Sequence, residues 1–196
     1  MNKIVYIFFA LIKKIDNVYN TLFRSYKRKY YYSISQKRFV IHPSVVFGKR
    51  FSIKSDQTNT SIFIDSNTQF RENCFIRMGS EGKLTIGRYC FFNNNCSFNC
   101  LDTIEIGDNT QFGEDVRLYD ANHLYKDKEK LISEQGVSKD KISIGSNCWI
   151  GANVVILKGV SIGNNAIIGA GCIIYKSIPP DSLVIQKQEL EIRSTR

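Results

Sequence analysis

The sequence predicts an all-β solenoid, in which short strands turn around a common apolar interior. Isoleucine recurs at every sixth position near the C-terminus, at Ile144, Ile150, Ile156, Ile162, Ile168 and Ile174. A period of six fits neither an α-helix, which repeats about every 3.6 residues, nor one long strand, which alternates about every two. It fits strands of a few residues joined by tight corners, each strand placing one large apolar side chain inside.

The same register extends upstream over most of the chain. With interruptions and one two-residue phase shift, it continues through these large apolar residues: Leu118, Phe112, Ile106, Ile104, Phe98, Phe92, Ile86, Ile76, Phe70, Ile64, Ile53, Phe47 and Ile41. The solenoid is therefore expected to span residues 36–180, with a C-terminal tail over residues 181–196.

The positions between these residues favour tight corners. Glycine directly follows the large apolar residue at eight of the 13 glycines, and asparagine stands three residues after it at seven positions. Both residue types tolerate a positive φ angle, which tight corners often require. The register therefore predicts a corner after each short strand.

Small residues stand four positions after the large apolar residue, and five of the six cysteines lie there: Cys74, Cys90, Cys96, Cys148 and Cys172. A thiol packs well as a small, weakly polar interior group. No CxxC pair accompanies the cysteines, so they are interpreted as buried structural residues rather than disulfide partners or metal ligands.

The net charge of +9 is concentrated at the N-terminus. Residues 1–40 hold nine basic residues and one acidic residue, so the remainder is nearly neutral, which argues against a chain-wide nucleic-acid-binding surface. Apolar residues at helical spacing predict an amphipathic helical segment over residues 1–35. The apolar run 4–12 is too short to span a bilayer. Two roles stay open for this segment: capping the solenoid, or adsorbing to an anionic membrane surface.

Residues 119–141 interrupt the six-residue register. A long loop extruded from a regular solenoid is usually functional. It begins with the run Tyr119-Asp120-Ala121-Asn122-His123, and His123 is one of only two histidines. A neutral imidazole can remove a proton from a hydroxyl near neutral pH, so His123 is the candidate general base. A plain surface histidine is the alternative.

The stretch IGSNCWIGANVVILKGVSIGNNAIIGAGCI resembles the hexapeptide repeat of left-handed parallel β-helix proteins, and the resemblance covers roughly residues 41–180. It implies a triangular prism with three strands per coil. The histidine near the start of the loop, followed 26 residues later by Trp149-Ile150-Gly151, resembles the hexapeptide sugar and xenobiotic O-acetyltransferases. That family transfers acetyl from acetyl-coenzyme A (acetyl-CoA) to a hydroxyl, usually as a homotrimer with sites between neighbouring prisms.

The resemblance implies roles for individual residues. His123 matches the catalytic base, and Asp120 is a candidate to hold its second nitrogen, although it could equally be a turn former. The oxyanion donor is expected from the turn at residues 151–153 or from the indole N–H of Trp149. Trp149 could instead pack at a subunit interface.

The resemblance further assigns the co-substrate and acceptor sites. The residues matching the coenzyme cleft are Ala152, Ala170, Tyr175 and Lys176, with Lys158 and Lys176 as phosphate partners and Trp149 beside the thioester arm. Asn93 or Asn95 approximates an acceptor-binding asparagine, and Asn95 also fits a corner role. No G-x-S-x-G motif supports an acyl-enzyme, so direct transfer without a metal is expected.

The expected acceptor is a bacterial surface or capsular polysaccharide, which could contain sialic acid, or its precursor. The enzyme is then expected in the cytoplasm, or peripherally at the inner face of the cytoplasmic membrane. Three other functions remain: an acetyltransferase for a free sugar or antibiotic, a non-enzymatic assembly module, and a zinc hydratase. The hydratase usually needs three histidine ligands, whereas this chain has only His42 and His123.

Overall fold

The computed structural model describes residues 38–55, 59–187 and 192–193. The predicted helical segment of residues 1–35 lies outside them. The described residues form short parallel strands that stack into three sheets, which we call faces A, B and C. The prediction of an all-β, left-handed parallel β-helix is confirmed. Each of the first six coils contributes one strand to each face, and β21 adds a seventh strand to face B.

The strand bounds follow the coils. Face A contains β1 (Phe39–Ile41), β4 (Ser61–Ile64), β7 (Lys83–Ile86), β10 (Thr103–Ile106), β15 (Ile142–Ile144) and β18 (Ser161–Ile162). Face B contains β2 (Val46–Phe47), β5 (Gln69–Phe70), β8 (Phe91–Phe92), β11 (Gln111–Phe112), β16 (Trp149–Ile150), β19 (Ile167–Ile168) and β21 (Leu183–Val184). Face C contains β3 (Ser52–Ser55), β6 (Phe75–Met78), β9 (Ser97–Cys100), β12 (Arg117–Tyr119), β17 (Val155–Leu157) and β20 (Ile173–Ile174). The solenoid thus continues past residue 180, to β21.

The large apolar residues of the register form vertical columns inside the prism. On face B, Phe47, Phe70, Phe92 and Phe112 stand in register, and their successive ring centroids are 5.8, 4.6 and 4.6 Å apart. The column continues through Ile150, Ile168 and Val184. Each coil therefore buries its interior side chains on those of its neighbours, as the six-residue period predicts.

The asparagine corners have the expected backbone. All seven asparagines of the register have φ angles between 57° and 63°: Asn67, Asn73, Asn95, Asn109, Asn147, Asn153 and Asn165. Their side chains also bond between coils. The Asn147 Nδ2 donates to Asn165 Oδ1 at 2.9 Å, and Asn165 Nδ2 donates to Asp181 Oδ1 at 2.8 Å. The corners therefore contribute a polar ladder as well as a turn.

The explanation for the register glycines is wrong. None of the eight has a positive φ; the three glycines that do are Gly136, Gly159 and Gly171. These positions require glycine because the next coil lies directly against them. A Cβ on Gly151, for example, would lie 2.6 Å from the amide nitrogen of Ala170. Close approach of stacked backbones, rather than conformational freedom, requires glycine there.

The six cysteines are free and buried, as predicted. The five cysteines that stand four positions after a large apolar residue also donate hydrogen bonds from their thiols. The Sγ atoms of Cys90 and Cys148 donate to the carbonyls of Gly107 and Gly163 in the next coil, at 3.1 and 3.2 Å. The Thr110 hydroxyl donates to Gly145 in the same way, at 2.8 Å. Burial raises the pKa of the Cys90 thiol to about 11.

The extruded loop is a strand hairpin with a short helix. Strand β13 (Ala121–His123) pairs antiparallel with β14 (Val137–Lys139), and the 3₁₀-helix η1 (Ile132–Glu134) lies between them. The amide of Asp140 donates to the carbonyl of Asp120 at 2.9 Å, which closes the loop at its base. Lys139 Nζ lies 3.7 Å from Glu81 Oε2, so the hairpin is tied to an earlier coil at the edge between faces C and A.

Asp120 anchors this base. Its side chain is fully buried, and its two oxygens accept the backbone N–H groups of Leu101 and Asp102, each at 2.8 Å. Desolvation by burial raises the pKa of this carboxyl, although the two amide hydrogen bonds act in the opposite direction. Asp120 therefore joins the base of the loop to the preceding coil.

We predict that Asp120→Asn lowers the free energy of unfolding by about 1–3 kcal/mol, because one buried amide loses its acceptor. Asp120→Ala should cost more, since two amides lose theirs. Because the folded state binds the Asp120 proton more tightly than the unfolded state, stability relative to Asp120→Asn should fall as pH rises through the range just above the ordinary aspartate pKa. Denaturant unfolding across pH checks this, with Asp115→Asn as control, because Asp115 is a corner residue at φ 57° where asparagine also fits. If the stability of wild type relative to Asp120→Asn rose with pH instead, the raised pKa of the Asp120 carboxyl would be contradicted.

Candidate active site

His123 is presented to solvent on the loop hairpin. It is the last residue of β13, lies opposite Val137 in β14, and is exposed. Across the described ranges, its imidazole has no hydrogen-bond or ion-pair partner. The hairpin fixes the backbone on both sides of it, because the next amide, of Leu124, donates to the carbonyl of Gly136 at 3.0 Å. The ring is therefore positioned by backbone pairing and available to an external group.

Asp120 does not hold the imidazole of His123, and this expectation is corrected. Both of its carboxylate oxygens face the interior and accept amides of the preceding coil. The three-residue spacing reflects the exit of the loop: Asp120 closes the coil, and β13 then carries His123 away from it. Asp120 acts on the site through the loop base alone.

Three predicted coenzyme residues lie at the edge between faces C and A. Lys158 follows β17, and Tyr175 and Lys176 follow β20, which pairs with β17 in the next coil. Lys176 Nζ is 5.6 Å from the centroid of the Tyr175 ring. Both side chains line a groove of about 520 Å³ at the C-terminal end of the prism. The structure thus places them on the same edge as the His123 hairpin, in later coils.

The other predicted coenzyme residues lie elsewhere on the prism. Trp149 projects from face B and is 58% exposed. Ala152 and Ala170 occupy the turns after β16 and β19, at the edge between faces B and C. They stand one coil apart, and the Gly171 amide donates to the Ala152 carbonyl at 2.8 Å.

These two turns contain free backbone donors. The amides of Gly151 and Asn153 donate to Ile168 and Glu114, and the amide of Gly169 donates to Val184. Within the part of the chain that the structure describes, the amides of Ala152 and Ala170 have no acceptor. The resemblance matched both alanines, but their useful groups are main-chain N–H groups, which no side-chain pattern could have revealed.

The predicted acceptor asparagines lie at the same B–C edge, after β8. Asn95 has a φ of 63° and accepts a hydrogen bond from Asn73 Nδ2 at 3.0 Å, so its side chain belongs to the corner ladder. Asn93 is half-buried, and its Oδ1 accepts the Asn94 amide at 3.0 Å. Its Nδ2 has no acceptor among the described residues, which leaves Asn93 the better candidate.

The structure therefore places the predicted residues on two edges and one face of the prism. His123, Lys158, Tyr175 and Lys176 share the C–A edge, whereas Trp149 lies on face B, and Ala152, Ala170 and Asn93 on the B–C edge. The sequence-based residue list did not separate these groups. It also missed four residues that line the C-terminal groove: Ile178, Val184, Ile185 and Gln186. Their signal was the apolar character of Leu183-Val184-Ile185, which continues the solenoid beyond the expected end.

Residues 38–55, 59–187 and 192–193 contain neither a helix able to cross a bilayer nor a group of three metal-ligating side chains.

Comparison with known proteins supports the hexapeptide assignment. The sequence model described as "Bacterial transferase hexapeptide (six repeats)" matches residues 141–176. Nodulation protein L of Rhizobium leguminosarum bv. viciae is 34% identical over 78 residues, which cover 39% of this chain and 40% of the relative. Nodulation protein L of Rhizobium meliloti (strain 1021) is 38% identical over 103 residues, covering 52% and 55%. The chain spans about half the length of the curated relatives it matches.

Two solved structures share the fold. A maltose O-acetyltransferase from Clostridium difficile 630 has 32% identity and a TM-score of 0.51, with 68% of this chain and 64% of that chain covered. AntD, an N-acyltransferase from Bacillus cereus solved with dTDP and coenzyme A, has 20% identity and a TM-score of 0.60, covering 80% and 84%. The second likeness concerns the fold alone.

The repeats and the prism agree with these comparisons. Residues 141–176 match the bacterial transferase hexapeptide repeat, and the recognition of a hexapeptide-repeat protein resembling the O-acetyltransferases is confirmed.

Proposed function

We propose that this protein is an acetyl-CoA-dependent O-acetyltransferase that modifies a hydroxyl of a bacterial surface or capsular polysaccharide, or of its precursor. The observation that carries the proposal is the geometry of His123. An exposed imidazole, with no partner among the described residues, ends a strand of the long hairpin that the solenoid extrudes. The similarity to a maltose O-acetyltransferase supports an acyl acceptor with hydroxyl groups.

His123 acts as the general base in this proposal. A sugar hydroxyl is a weak nucleophile at neutral pH, and an imidazole nitrogen within hydrogen-bond reach can take its proton during attack. The partners of both imidazole nitrogens come from outside the described residues, since Asp120 is committed to the coil. The hydroxyl proton thus passes to His123 while the hydroxyl oxygen adds to the acyl carbon. The C–S bond of the thioester then breaks, and the departing thiolate takes the proton from His123, so that the ester and free coenzyme A leave in a single direct transfer.

The free amides suit a coenzyme A thioester. Pantetheine contains amides whose carbonyls need N–H donors, and the free N–H of Ala170, one coil from Ala152, offers one. Bound there, coenzyme A would supply an activated acetyl group. The Ala152 N–H can then donate to the carbonyl oxygen on which negative charge develops. The cationic Lys158 and Lys176 suit the phosphates.

A site shared between two copies reconciles the two edges. A single prism separates His123 on the C–A edge from Ala152 on the B–C edge. One chain therefore does not bring the proposed general base and the proposed oxyanion donor together. Homotrimeric packing would bring the C–A edge of one copy against face B of the next. The exposed column of Trp149, Ile167 and Leu183 on face B supports such an apolar contact.

The basic N-terminal segment gives the proposal a location. Residues 1–35 combine an apolar run with clustered Lys and Arg, which favours reversible adsorption to an anionic leaflet. We place the enzyme in the cytoplasm, at the inner face of the membrane where lipid-linked glycans are assembled. Transfer of labelled acetyl to a panel of purified polysaccharides tests the proposed activity directly, and lack of transfer to every hydroxylated acceptor would refute it.

We predict that His123→Ala lowers kcat by about 10²–10⁴-fold, the usual contribution of a general base, and leaves acetyl-CoA binding unchanged. His42→Ala is the matched control, because His42 is the other histidine, is exposed, and bonds only locally to Ser44. Steady-state kinetics and coenzyme titration provide both readouts. Retention of near-normal turnover by folded His123→Ala would remove His123 from the mechanism.

We predict that mixed oligomers restore activity lost in separate variants. If Trp149 of one copy and Tyr175 of its neighbour flank the same thioester arm, Trp149→Ala and Tyr175→Ala homo-oligomers should both be weakly active. Co-refolded mixtures should then regain activity, since some interfaces combine two intact residues. Native mass spectrometry verifies mixing, and confirmed mixed oligomers without any recovery would count against a shared site.

We predict that the full-length protein binds anionic vesicles at low salt, and that removal of residues 1–35 abolishes this binding. Each basic residue near such a surface contributes about 1 kcal/mol, which salt screens. Vesicle sedimentation beside a thermal melt separates the two roles. An intact protein that ignores vesicles, with a truncated form that melts early, would establish the capping role instead.

A further inference from the structure

Face C carries a row of cations next to the His123 hairpin. Lys54, Arg77 and Arg117 lie on β3, β6 and β12, and all three are exposed. The strands of face C contain no Asp or Glu, and none of these three side chains forms an ion pair within the described residues. We call Lys54, Arg77 and Arg117 the cationic stripe.

Some exposed cations elsewhere on the prism have carboxylate partners, whereas others, such as Lys49 and Lys83, have none among the described residues. Arg88 Nε lies 2.8 Å from Asp108 Oδ2 in the next coil, and Lys141 Nζ lies 2.6 Å from Glu105 Oε2. Stacking of coils can thus place an acid beside a base. The strands of face C contain no acid, so within the described residues the charge of the stripe is available to a bound group.

Two members of the stripe directly oppose each other. Lys54 and Arg77 are register partners of the parallel pair β3–β6, and Asn99 follows Arg77 on the other side. Like charges opposite each other on a sheet are destabilising. Among the described residues, Lys54 is compensated by the Phe75 ring, whose centroid is 6.0 Å from Lys54 Nζ. A bound anion between the two side chains would convert this repulsion into attraction.

The stripe leads to the candidate base. Arg117 begins β12, the strand after which Asp120 closes the coil and β13 carries His123 outwards. Higher on the same edge, the hairpin is held by Lys139 against Glu81, four residues after Arg77. Half-buried polar residues lie beside the cations: Ser97 is the register partner of Arg117, and Asn99 is that of Arg77 on one side and of Tyr119 on the other. Cationic and polar groups are thus mixed on this face beside the hairpin.

We infer that the cationic stripe binds the acceptor, and that the acceptor is a polyanionic glycan with carboxylate or phosphodiester groups along its chain. This inference rests on the proposed acetyltransferase function and specifies its substrate class. With strands about 4.8 Å apart, the stripe extends over about 14 Å, which suits successive anions of a polymer better than a single one. Guanidinium groups bind either anion through two parallel hydrogen bonds.

The test compares two double variants that remove equal charge. Lys54→Gln with Arg77→Gln disrupts the stripe, whereas Lys49→Gln with Lys83→Gln removes two exposed cations that lie off face C. The acceptors are polysialic acid, its carboxyl-reduced derivative, and a poly(glycerol phosphate). We expect the stripe variant to raise the acceptor KM about tenfold or more for at least one anionic polymer, with the KM for acetyl-CoA unchanged. The polymer affected identifies carboxylate or phosphodiester as the recognised group.

Arg117 provides an independent variant. Arg117→Gln should raise the same KM, and Arg117→Lys should restore part of it, because charge is kept while the two-point hydrogen bonding is lost. Equal KM values for wild type and the stripe variant would overturn the inference. So would wild-type preference for the carboxyl-reduced polymer, and in both cases the acetyltransferase proposal would stand.

Binding without acetyl-CoA separates the two proposals. Calorimetry should show polyanion binding that weakens between low and high salt and is reduced in the stripe variant. Such binding by a protein with no transferase activity would refute the proposed function while supporting the stripe as an anion-binding surface. A single-stranded oligonucleotide that binds through the stripe as tightly as the glycans would overturn the glycan assignment.

Discussion

The direct stacking of one coil on the next is the constraint on which the rest of the structure depends. Parallel strands place each inward side chain on its counterpart, so the aromatic column of face B continues through four coils. The corners come so close that glycine is required where a Cβ would meet the next backbone. Small thiols and hydroxyls then satisfy the carbonyls between coils. Stability is consequently a sum of neighbour contacts.

The same stacking determines where functional groups can lie. Residues in one coil that are about six positions apart fall on different faces, whereas residues about one coil apart fall on the same edge. Lys158 and Lys176 therefore align on the C–A edge, and Ala152 and Ala170 on the B–C edge. Only the loop escapes this rule, since its hairpin leaves the edge after Asp120 and carries His123 beyond the prism surface. A rigid scaffold with one extruded element thus defines the proposed site.

Much of this architecture follows from the sequence, because a strict period leaves few alternatives. The six-residue isoleucine series specifies the inward column, and the seven asparagines specify the left-handed corners. Periodicity could not distinguish why glycine is needed, since conformational freedom and close contact favour the same residue. Closeness in sequence also suggested that Asp120 holds His123. Sequence alone does not say whether a carboxylate faces the interior of a coil or the loop. Desolvation and two amide donors draw Asp120 inside.

The site is harder to predict because its chemistry is partly main-chain and depends on edges rather than on spacing. The free amides at Ala152 and Ala170 become visible only when the acceptors of neighbouring amides are assigned. The cationic stripe likewise emerges from the stacking of face C, since Lys54 and Arg77 are register partners and Arg117 lies two strands beyond Arg77 in the neighbouring row. The three residues are far apart in sequence and show no motif. Both features result from the stacking of coils, which converts distant positions into neighbours.

The central claim is that the proposed active site combines two edges from different copies of the chain. The most direct measurement is a crystal structure of the protein with coenzyme A. A shared site places the sulfur of coenzyme A between the Ala152 amide of one protomer and the His123 imidazole of its neighbour. Coenzyme A bound with all of its contacts on a single protomer, remote from every His123, would rule out a shared site.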